Sequence, residues 1–165
     1  MARKGLTQEK IIELLNEPLL FDIEGSEKVL EDNVYENIDL ICEGLGLPPI
    51  VTTGRQKLIN AGGFYIKPDL IVRHIDGTMT VFEVKKRNDK HPCTATSNQM
   101  EAIGQLLLYG NVLETIIENK VRLALIDNKI YYRTYCAFCG YKLPITLIDF
   151  QKDRVFVPYN GWGCL

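Results

Sequence analysis

The chain has 165 residues, of which 46% are hydrophobic and 24% charged, and its formal net charge is −2. This length and composition predict a single domain, residues 1–165, that buries a sizeable core. The small negative charge excludes a polycation that binds nucleic acid through its overall charge, so any DNA-binding surface must be local. No run approaches the roughly 18 apolar residues of a membrane span, so we expect an intracellular protein, cytoplasmic or nucleoid-associated, with no membrane partner.

Two helices are predicted in the first part of the chain. Residues 7–16 predict a short N-terminal helix that ends before Pro18. A second helix is predicted from Ser26, a suitable N-cap, to Gly44. Its apolar positions recur at helical spacing and form one stripe that should face a sheet: Leu30, Val34, Ile38 and Ile41.

Strand-like segments follow the second helix. They are "PIVTTGRQKLI", "GFYIKPDLIVRHI" and "TMTVFEVKK", and Asp76-Gly77 between the last two is a strong hairpin signal. A long helix is then predicted over residues 98–120, followed by the strand "VRLALI". The order αβββαβ predicts an α/β fold, in which a mixed central β-sheet is flanked by helices and the core spans residues 26–127. Residues 128–165 predict a strand-rich extension with extra C-terminal β-hairpins.

Charged residues lie in or beside segments that otherwise predict buried strands. Glu83 and Lys85 are two apart and share a face of their strand, whereas Val84 points the other way and leaves its carbonyl near the acid. Asp69 arrives from the neighbouring strand. These groups could hold a hard cation such as Mg²⁺, while Lys85 orients or helps deprotonate a water. The pattern outlines a phosphodiester-hydrolysis site, although an acid and a lysine two apart more often form a solvated face.

Polar residues also lie on the inward faces of two predicted helices. At 100° per residue, Glu27 falls within the apolar stripe and Glu36 on the opposite side. Glu27 is therefore a candidate third metal ligand, with Glu31 as its rival and an ordinary helix-dipole role as the alternative. Gln105 and Tyr109 are four apart on an otherwise apolar helix face, and in a structural role they would satisfy each other or a backbone group in the core.

Taken together, these residues resemble the PD-(D/E)xK nuclease superfamily. "PD" stands at 68–69, "EVK" at 83–85, and "QLLLY" at 105–109 looks like a RecB-type Q-x-x-x-Y element. More narrowly, residues 26–115 are similar to the catalytic domain of NucS/EndoMS-type endonucleases. The resemblance implies a restriction-endonuclease-like core and a Mg²⁺-dependent DNA endonuclease, in which Mn²⁺ substitutes for Mg²⁺. The implied metal ligands are Asp69, Glu83, the Val84 carbonyl and Glu27. The implied catalytic set adds Lys85 as the water-orienting group, and Gln105 and Tyr109 as groups that position the site and the phosphate.

The resemblance does not extend to substrate choice. The stretch "KLINAGGFYIKP" before Asp69 and the loop at 88–98 look longer than the family's equivalents. Only about 25 residues precede the nuclease segment, where the family usually carries a DNA-binding and dimerisation domain. Mismatch-directed, homing, restriction-like and junction-resolving enzymes are therefore all options. A nucleic-acid-binding module that has lost the chemistry is the alternative from another class.

DNA contact is expected from local charge around the site, in the form of salt-sensitive phosphate contacts. The candidates are Arg55, Gln56, Lys57, Lys67, Arg73, Lys86, Arg87 and Lys90. The alternative, for about half of them, is that they solubilise strand ends. Arg55 and Gln56 are the better candidates because "RQ" precedes the catalytic strand pair in the same region as in the family.

Cutting both strands of a duplex calls for two active sites, so a homodimer is expected.

The five cysteines are an odd number at irregular spacing, which favours free thiols over a disulfide framework. They are Cys42, Cys93, Cys136, Cys139 and Cys164. "CAFCG" at 136–140 is the shape of half a zinc knuckle, but no second pair follows it. A plain turn with two thiols is therefore expected there, ahead of a structural zinc or an iron–sulfur cluster.

Overall fold

A six-stranded mixed β-sheet with helices packed on both faces forms the centre of the fold. The computed structural model describes residues 27–85, 92–128, 130–151 and 154–164. The helix predicted at 7–16 and the candidate DNA contacts Lys86, Arg87 and Lys90 lie outside these ranges. Within them, no helix combines the length and the apolar character that crossing a membrane requires.

The elements follow one another in an order that begins with two helices and five strands. These are α1 (Glu27–Glu36), α2 (Ile38–Gly44), β1 (Ile50–Arg55), β2 (Ile59–Asn60), β3 (Tyr65–Ile66), β4 (Leu70–His74) and β5 (Met79–Lys85). The second half contains α3 (Pro92–Ile117), β6 (Val121–Asp127), α4 (Tyr132–Tyr141), β7 (Ile145–Gln151), β8 (Arg154–Tyr159) and a 3₁₀ turn (Gly161–Cys164).

The sheet confirms the predicted mixed α/β architecture. Its strand order is β1-β4-β5-β6-β7-β8, with β5, β6 and β7 parallel and the other neighbouring pairs antiparallel. The hairpin predicted at Asp76-Gly77 joins β4 to β5. Gly77 has a φ of +83°, which glycine adopts without the steric cost that a Cβ would bring.

Helices cover the two faces of the sheet separately. The predicted stripe of α1 and α2 is confirmed, since its four apolar residues pack with Phe82 and Val84 of β5 in one buried cluster. Leu106 and Leu113 of α3 pack with Val81 in the other cluster. Successive residues of a strand point to opposite faces. Glu83 and Lys85 therefore share the α3 face with Val81.

Several predicted boundaries are wrong in the first two thirds of the chain. The helix expected from Ser26 to Gly44 is interrupted at Asn37, whose side-chain amide donates to the Asn33 carbonyl (2.8 Å). The first two strand-like segments are each divided, and their inner parts pair as the separate two-stranded ribbon β2–β3. Helix α3 begins at Pro92 instead of residue 98, since proline is well tolerated in a first helical turn.

The C-terminal extension differs more from the prediction. The turn expected at "CAFCG" is wrong, because these residues lie in helix α4, where Phe138 is fully buried in the α3-side cluster. The phenyl ring of Phe138 also meets the ring of Tyr159 edge to face, with centroids 5.7 Å apart. One hairpin, β7–β8, follows, and it continues the central sheet.

Candidate active site

The structure brings Asp69, Glu83 and Lys85 together at one end of the β4–β5 pair. Leu70 pairs with Phe82, so Asp69 lies opposite Glu83 in the antiparallel register. The Lys85 Nζ lies 3.3 Å from Glu83 Oε1, and the Val84 N–H donates to Asp69 Oδ2 (2.9 Å). The alternation of strand residues and the hairpin pairing together produce this cluster.

Glu83 is the most buried member of the cluster. The residue is 3% exposed, and its Oε2 is buried with no hydrogen-bond partner among the described residues. Burial, and then the neighbouring Asp69 charge, raise the pKa of Glu83 to about 7, against the opposing effect of Lys85. A buried carboxylate oxygen with no partner, beside a second acid, suits an oxygen-ligated divalent cation such as Mg²⁺.

Asp69 is held by two donors. Its Oδ1 accepts from Gln56 Nε2 (2.9 Å), and its Oδ2 accepts from the Val84 N–H. Burial raises the pKa of Asp69, and the Glu31 charge adds to this, while Val84, Lys85 and Gln56 act in the opposite direction. Both oxygens therefore have fixed orientations at the mouth of the sheet.

Gln56 links the strand acids to helix α1. The Gln56 Nε2 also lies within hydrogen-bond distance of Glu31 Oε1 (3.2 Å). The backbone N–H of Gln56 donates to the backbone carbonyl of Asp69 (2.9 Å). Gln56 has a φ of +50°, a left-handed conformation that costs a non-glycine residue about 1 kcal/mol. These hydrogen bonds hold Gln56 in its strained conformation, where its amide reaches both acids.

Both candidate acids of α1 lie beside this cluster. Glu31 contacts Asp69 through Gln56, whereas the exposed Glu27 is near enough for its charge to raise the pKa of Lys85. Both line a surface cavity of about 520 Å³ together with Arg55 and Gln56. The two acids thus reach different members of the cluster, and the choice of Glu27 as the metal ligand stays a prediction.

Lys85 is held as a cation by its surroundings. Burial by itself would lower the pKa of Lys85, but the carboxylates of Glu83, Asp69 and Glu27 outweigh it and raise the pKa above its ordinary value. The side chain therefore carries a full set of N–H donors at neutral pH. In this state it can orient a water or stabilise negative charge, but it cannot accept a proton.

The α3 pair is also near the acids. Tyr109 is buried, and burial followed by the charges of Glu83 and Asp69 raises the pKa of its phenol, which therefore keeps its proton. Gln105 Oε1 is buried with no hydrogen-bond partner in the described part of the chain. The pair thus supplies a donor and an uncommitted acceptor.

The candidate DNA contacts differ in how their charges are used. The Arg55 Nε pairs with Glu31 Oε1 at 3.0 Å, another nitrogen pairs with Asp32, and the guanidinium lies 5.5 Å from the centroid of the Tyr35 ring. The charge of Arg55 is therefore paired with acids of α1. Lys57, Lys67 and Arg73 are exposed, which leaves their side chains accessible to phosphates.

One polar group of the region was missed by the sequence reasoning. Asp127 pairs with Lys85 in the parallel β5–β6 register and is fully buried. Its Oδ2 accepts from Gln99 Nε2 (2.8 Å), and the Thr134 hydroxyl donates to Gln99 Oε1. The sequence signal that could have identified Asp127 was an acid at the end of the apolar strand "VRLALID". This network extends the polar edge of the sheet beyond Lys85.

Metal ligation in this region would depend on few side chains. Among the described residues, no three His, Cys, Asp or Glu side chains form a cluster that could hold a metal ion. A cation here would therefore rely on the two strand carboxylates and main-chain or water oxygens. Cys136 and Cys139 are exposed free thiols on α4, and Cys42 is a buried free thiol on α2.

Comparisons with known proteins give only distant likenesses. No family model and no curated protein matches the chain. An EndoMS–dsDNA complex is similar over 80% of this chain and 47% of that one, with 19% identity and a TM-score of 0.48. An XisH family protein from Nostoc punctiforme PCC 73102 is similar over 76% of this chain and 97% of that one, with 19% identity and a TM-score of 0.49. A fdxN element excision controlling factor protein from Anabaena variabilis is similar over 76% of this chain and 96% of that one, with 20% identity and a TM-score of 0.48.

These likenesses do not define a family or an activity. The chain spans about half the length of the EndoMS chain.

Proposed function

We propose that this chain is a Mg²⁺-dependent DNA endonuclease that hydrolyses phosphodiester bonds at the Asp69–Glu83–Lys85 cluster. The observation that carries the proposal is Glu83 Oε2, a buried carboxylate oxygen beside a second acid and with no hydrogen-bond partner in the part of the chain that the structure describes. Two mutually repelling carboxylates in a buried position are unfavourable without a counter-charge. A divalent cation would relieve that repulsion, and Lys85 already neutralises part of it.

The roles of the chain's own groups follow from their contacts. Asp69, Glu83 and the Val84 carbonyl would hold the ion, with Glu27 as a further ligand, direct or through water. The bound cation would supply Lewis acidity toward the scissile phosphate. Lys85, as an ammonium, would orient the attacking water and stabilise charge that develops on the phosphate oxygens.

Other contacts would keep these groups in position. Gln56 fixes Asp69 Oδ1 and links it to Glu31. Tyr109 keeps its phenolic proton and would donate to the phosphate, while Gln105 would accept from a water or from a neighbouring donor. Hydrogen bonds of this kind, made to the metal ligands by neighbouring side chains, set the orientation of those ligands. Their loss typically costs tenfold or more in metal affinity or activity.

Cleavage of a DNA panel in different ions tests this function. Mg²⁺ and Mn²⁺ should support cleavage of duplex, mismatched, branched or single-stranded DNA, and Ca²⁺ should support binding without cleavage because its coordination is looser. Asp69→Asn and Lys85→Met should abolish cleavage, whereas Lys120→Met, at an exposed lysine before β6, should not. Cleavage that persists in EDTA, or unchanged activity of Asp69→Asn, would contradict the proposal.

Cutting both strands would require two copies of the site. The described residues of one chain form one such cluster, so we propose a homodimer as the form that cleaves duplex DNA. Light scattering with and without DNA measures the stoichiometry. A chain that stays monomeric while it makes double-strand breaks would overturn this part of the proposal.

A further inference from the structure

The ribbon, defined here as residues 57–67, lies in the chain between two residues of the candidate site, Gln56 and Asp69. Its strands β2 and β3 pair Ile59 with Ile66 and Asn60 with Tyr65, and the Ala61 N–H donates to the Phe64 carbonyl (2.8 Å). Its tip contains two glycines, Gly62 and Gly63, with φ of +80° and +126°. The ribbon is therefore a defined hairpin with its own hydrogen bonds.

The base of the ribbon is anchored in the core on the α3 side of the sheet. Ile66 is 1% exposed and Ile59 packs against the α3-side cluster. The residue before the ribbon is Gln56, and Asp69 lies two residues after it. The two ends of the ribbon therefore adjoin residues of the candidate site along the chain.

The outer surface of the ribbon combines large apolar side chains with positive charge. Tyr65 is 62% exposed, Leu58 59% and Phe64 47%. Lys57 and Lys67 are exposed, and no acid occurs from Gln56 to Pro68. This charge favours a polyanion, and exposed aromatic rings beside cations are the surface on which nucleic-acid bases stack.

A groove beside the ribbon adds a second reason to expect bases. It has a volume of about 660 Å³, and its lining includes Leu58, Asn60, Arg73 and Ile116. This volume lies in the range of pockets that enclose small ligands, and an unstacked base is a ligand of that kind. Bases of an intact duplex are stacked and paired and would not present their faces to either feature.

We propose that the ribbon binds the unpaired bases of single-stranded DNA. Phe64 and Tyr65 stack on the bases, and Lys57 and Lys67 contact the flanking phosphates. This binding does not depend on the proposed nuclease function, because the ribbon residues are separate from the proposed metal ligands.

Binding of the full chain to fluorescent oligothymidine and to a matched duplex, measured by anisotropy in EDTA, tests the inference. The wild type should prefer the single strand. Phe64→Ala and Tyr65→Ala should each weaken single-strand binding about tenfold, the scale of one lost base–aromatic stack. Tyr65→Phe should restore it. Tyr141→Ala is the matched control, since that tyrosine is 83% exposed on α4 and should contribute nothing.

The salt dependence of binding tests the role of Lys57 and Lys67 separately. Lys57→Ala and Lys67→Ala should each reduce the slope of log affinity against log salt by about 0.7, the value for one phosphate contact on a single strand. Lys142→Ala, at an exposed lysine that follows α4, should leave the slope unchanged. Melting temperatures near that of the wild type would show that each variant is folded.

The outcomes separate this inference from the proposed function. Equal binding of wild type, Phe64→Ala and Tyr65→Ala overturns the inference, even if the chain cleaves DNA. Loss of single-strand binding in these variants supports it, even if no metal activates cleavage. If the two variants change only the oligomeric state measured by light scattering, the ribbon is a contact between chains, and the inference is wrong.

Discussion

Replacement of Glu83 by glutamine should stabilise the metal-free protein above pH 7. Burial and the Asp69 charge raise the pKa of Glu83 from its ordinary 4.5 to about 7 in the folded chain. Between these values the folded state binds more protons than the unfolded state, so the free energy of unfolding falls as pH rises. The free-energy cost of holding Glu83 ionised in the folded protein is absent below pH 4.5 and complete above pH 7. It amounts to about 3 kcal/mol. Glutamine resembles the protonated acid and does not incur this cost.

Urea unfolding in EDTA at pH 4, 6 and 8 measures the effect. The free energy of unfolding of Glu83→Gln minus that of the wild type should be near zero at pH 4 and rise to about 3 kcal/mol at pH 8. Glu36→Gln is the control, because that exposed acid ends α1 on the side away from the sheet, and its difference should stay flat. Added Mg²⁺ should stabilise the wild type and have less effect on Glu83→Gln.

Two results would refute this reasoning. If Glu83→Gln is less stable than the wild type at pH 8, the carboxylate is already satisfied in the metal-free fold. If the difference between variant and wild type does not change with pH, the pKa of Glu83 is not raised. In either case, Glu83 Oε2 would no longer be evidence for a cation site.

Three further predictions concern the α1 acid, a buried histidine and the α4 thiols. Glu27→Gln should lower cleavage at least tenfold, which is ~1.4 kcal/mol of transition-state stabilisation, whereas Glu36→Gln should have little effect in the same Mg²⁺ titration. His74 is buried, and desolvation lowers its pKa, so the unfolded chain binds more protons. Stability should therefore fall as pH drops below about 6.5, and less steeply in His74→Gln; an equal slope would contradict this. Cys136 and Cys139 should hold no structural metal, so elemental analysis should find no stoichiometric zinc or iron, and a stoichiometric metal would contradict this.

Local patterns predicted the parts of the fold that depend on local chemistry. The Asp76-Gly77 turn, the inward stripe of α1 and α2, and the shared face of Glu83 and Lys85 all follow from fixed periods or from turn geometry. These features are confirmed, as is the mixed sheet that their order implies. Helix α4 was missed because its aromatic-rich sequence has strand propensity. Burial of Thr134 and Phe138 on one side of a helix outweighs that propensity.

The sequence by itself determined which residue types could form a site and which of them share a strand or a helix face. Only the tertiary structure decided which charges meet across elements. It pairs Arg55 with Glu31 and Asp32, places Gln56 between Asp69 and Glu31, and leaves Glu83 Oε2 without a partner among the residues described. These contacts join residues far apart in the chain, and their geometry depends on how α1 packs on the sheet. Periodicity along one element carries no information about that packing, because it describes directions within an element and not distances between elements.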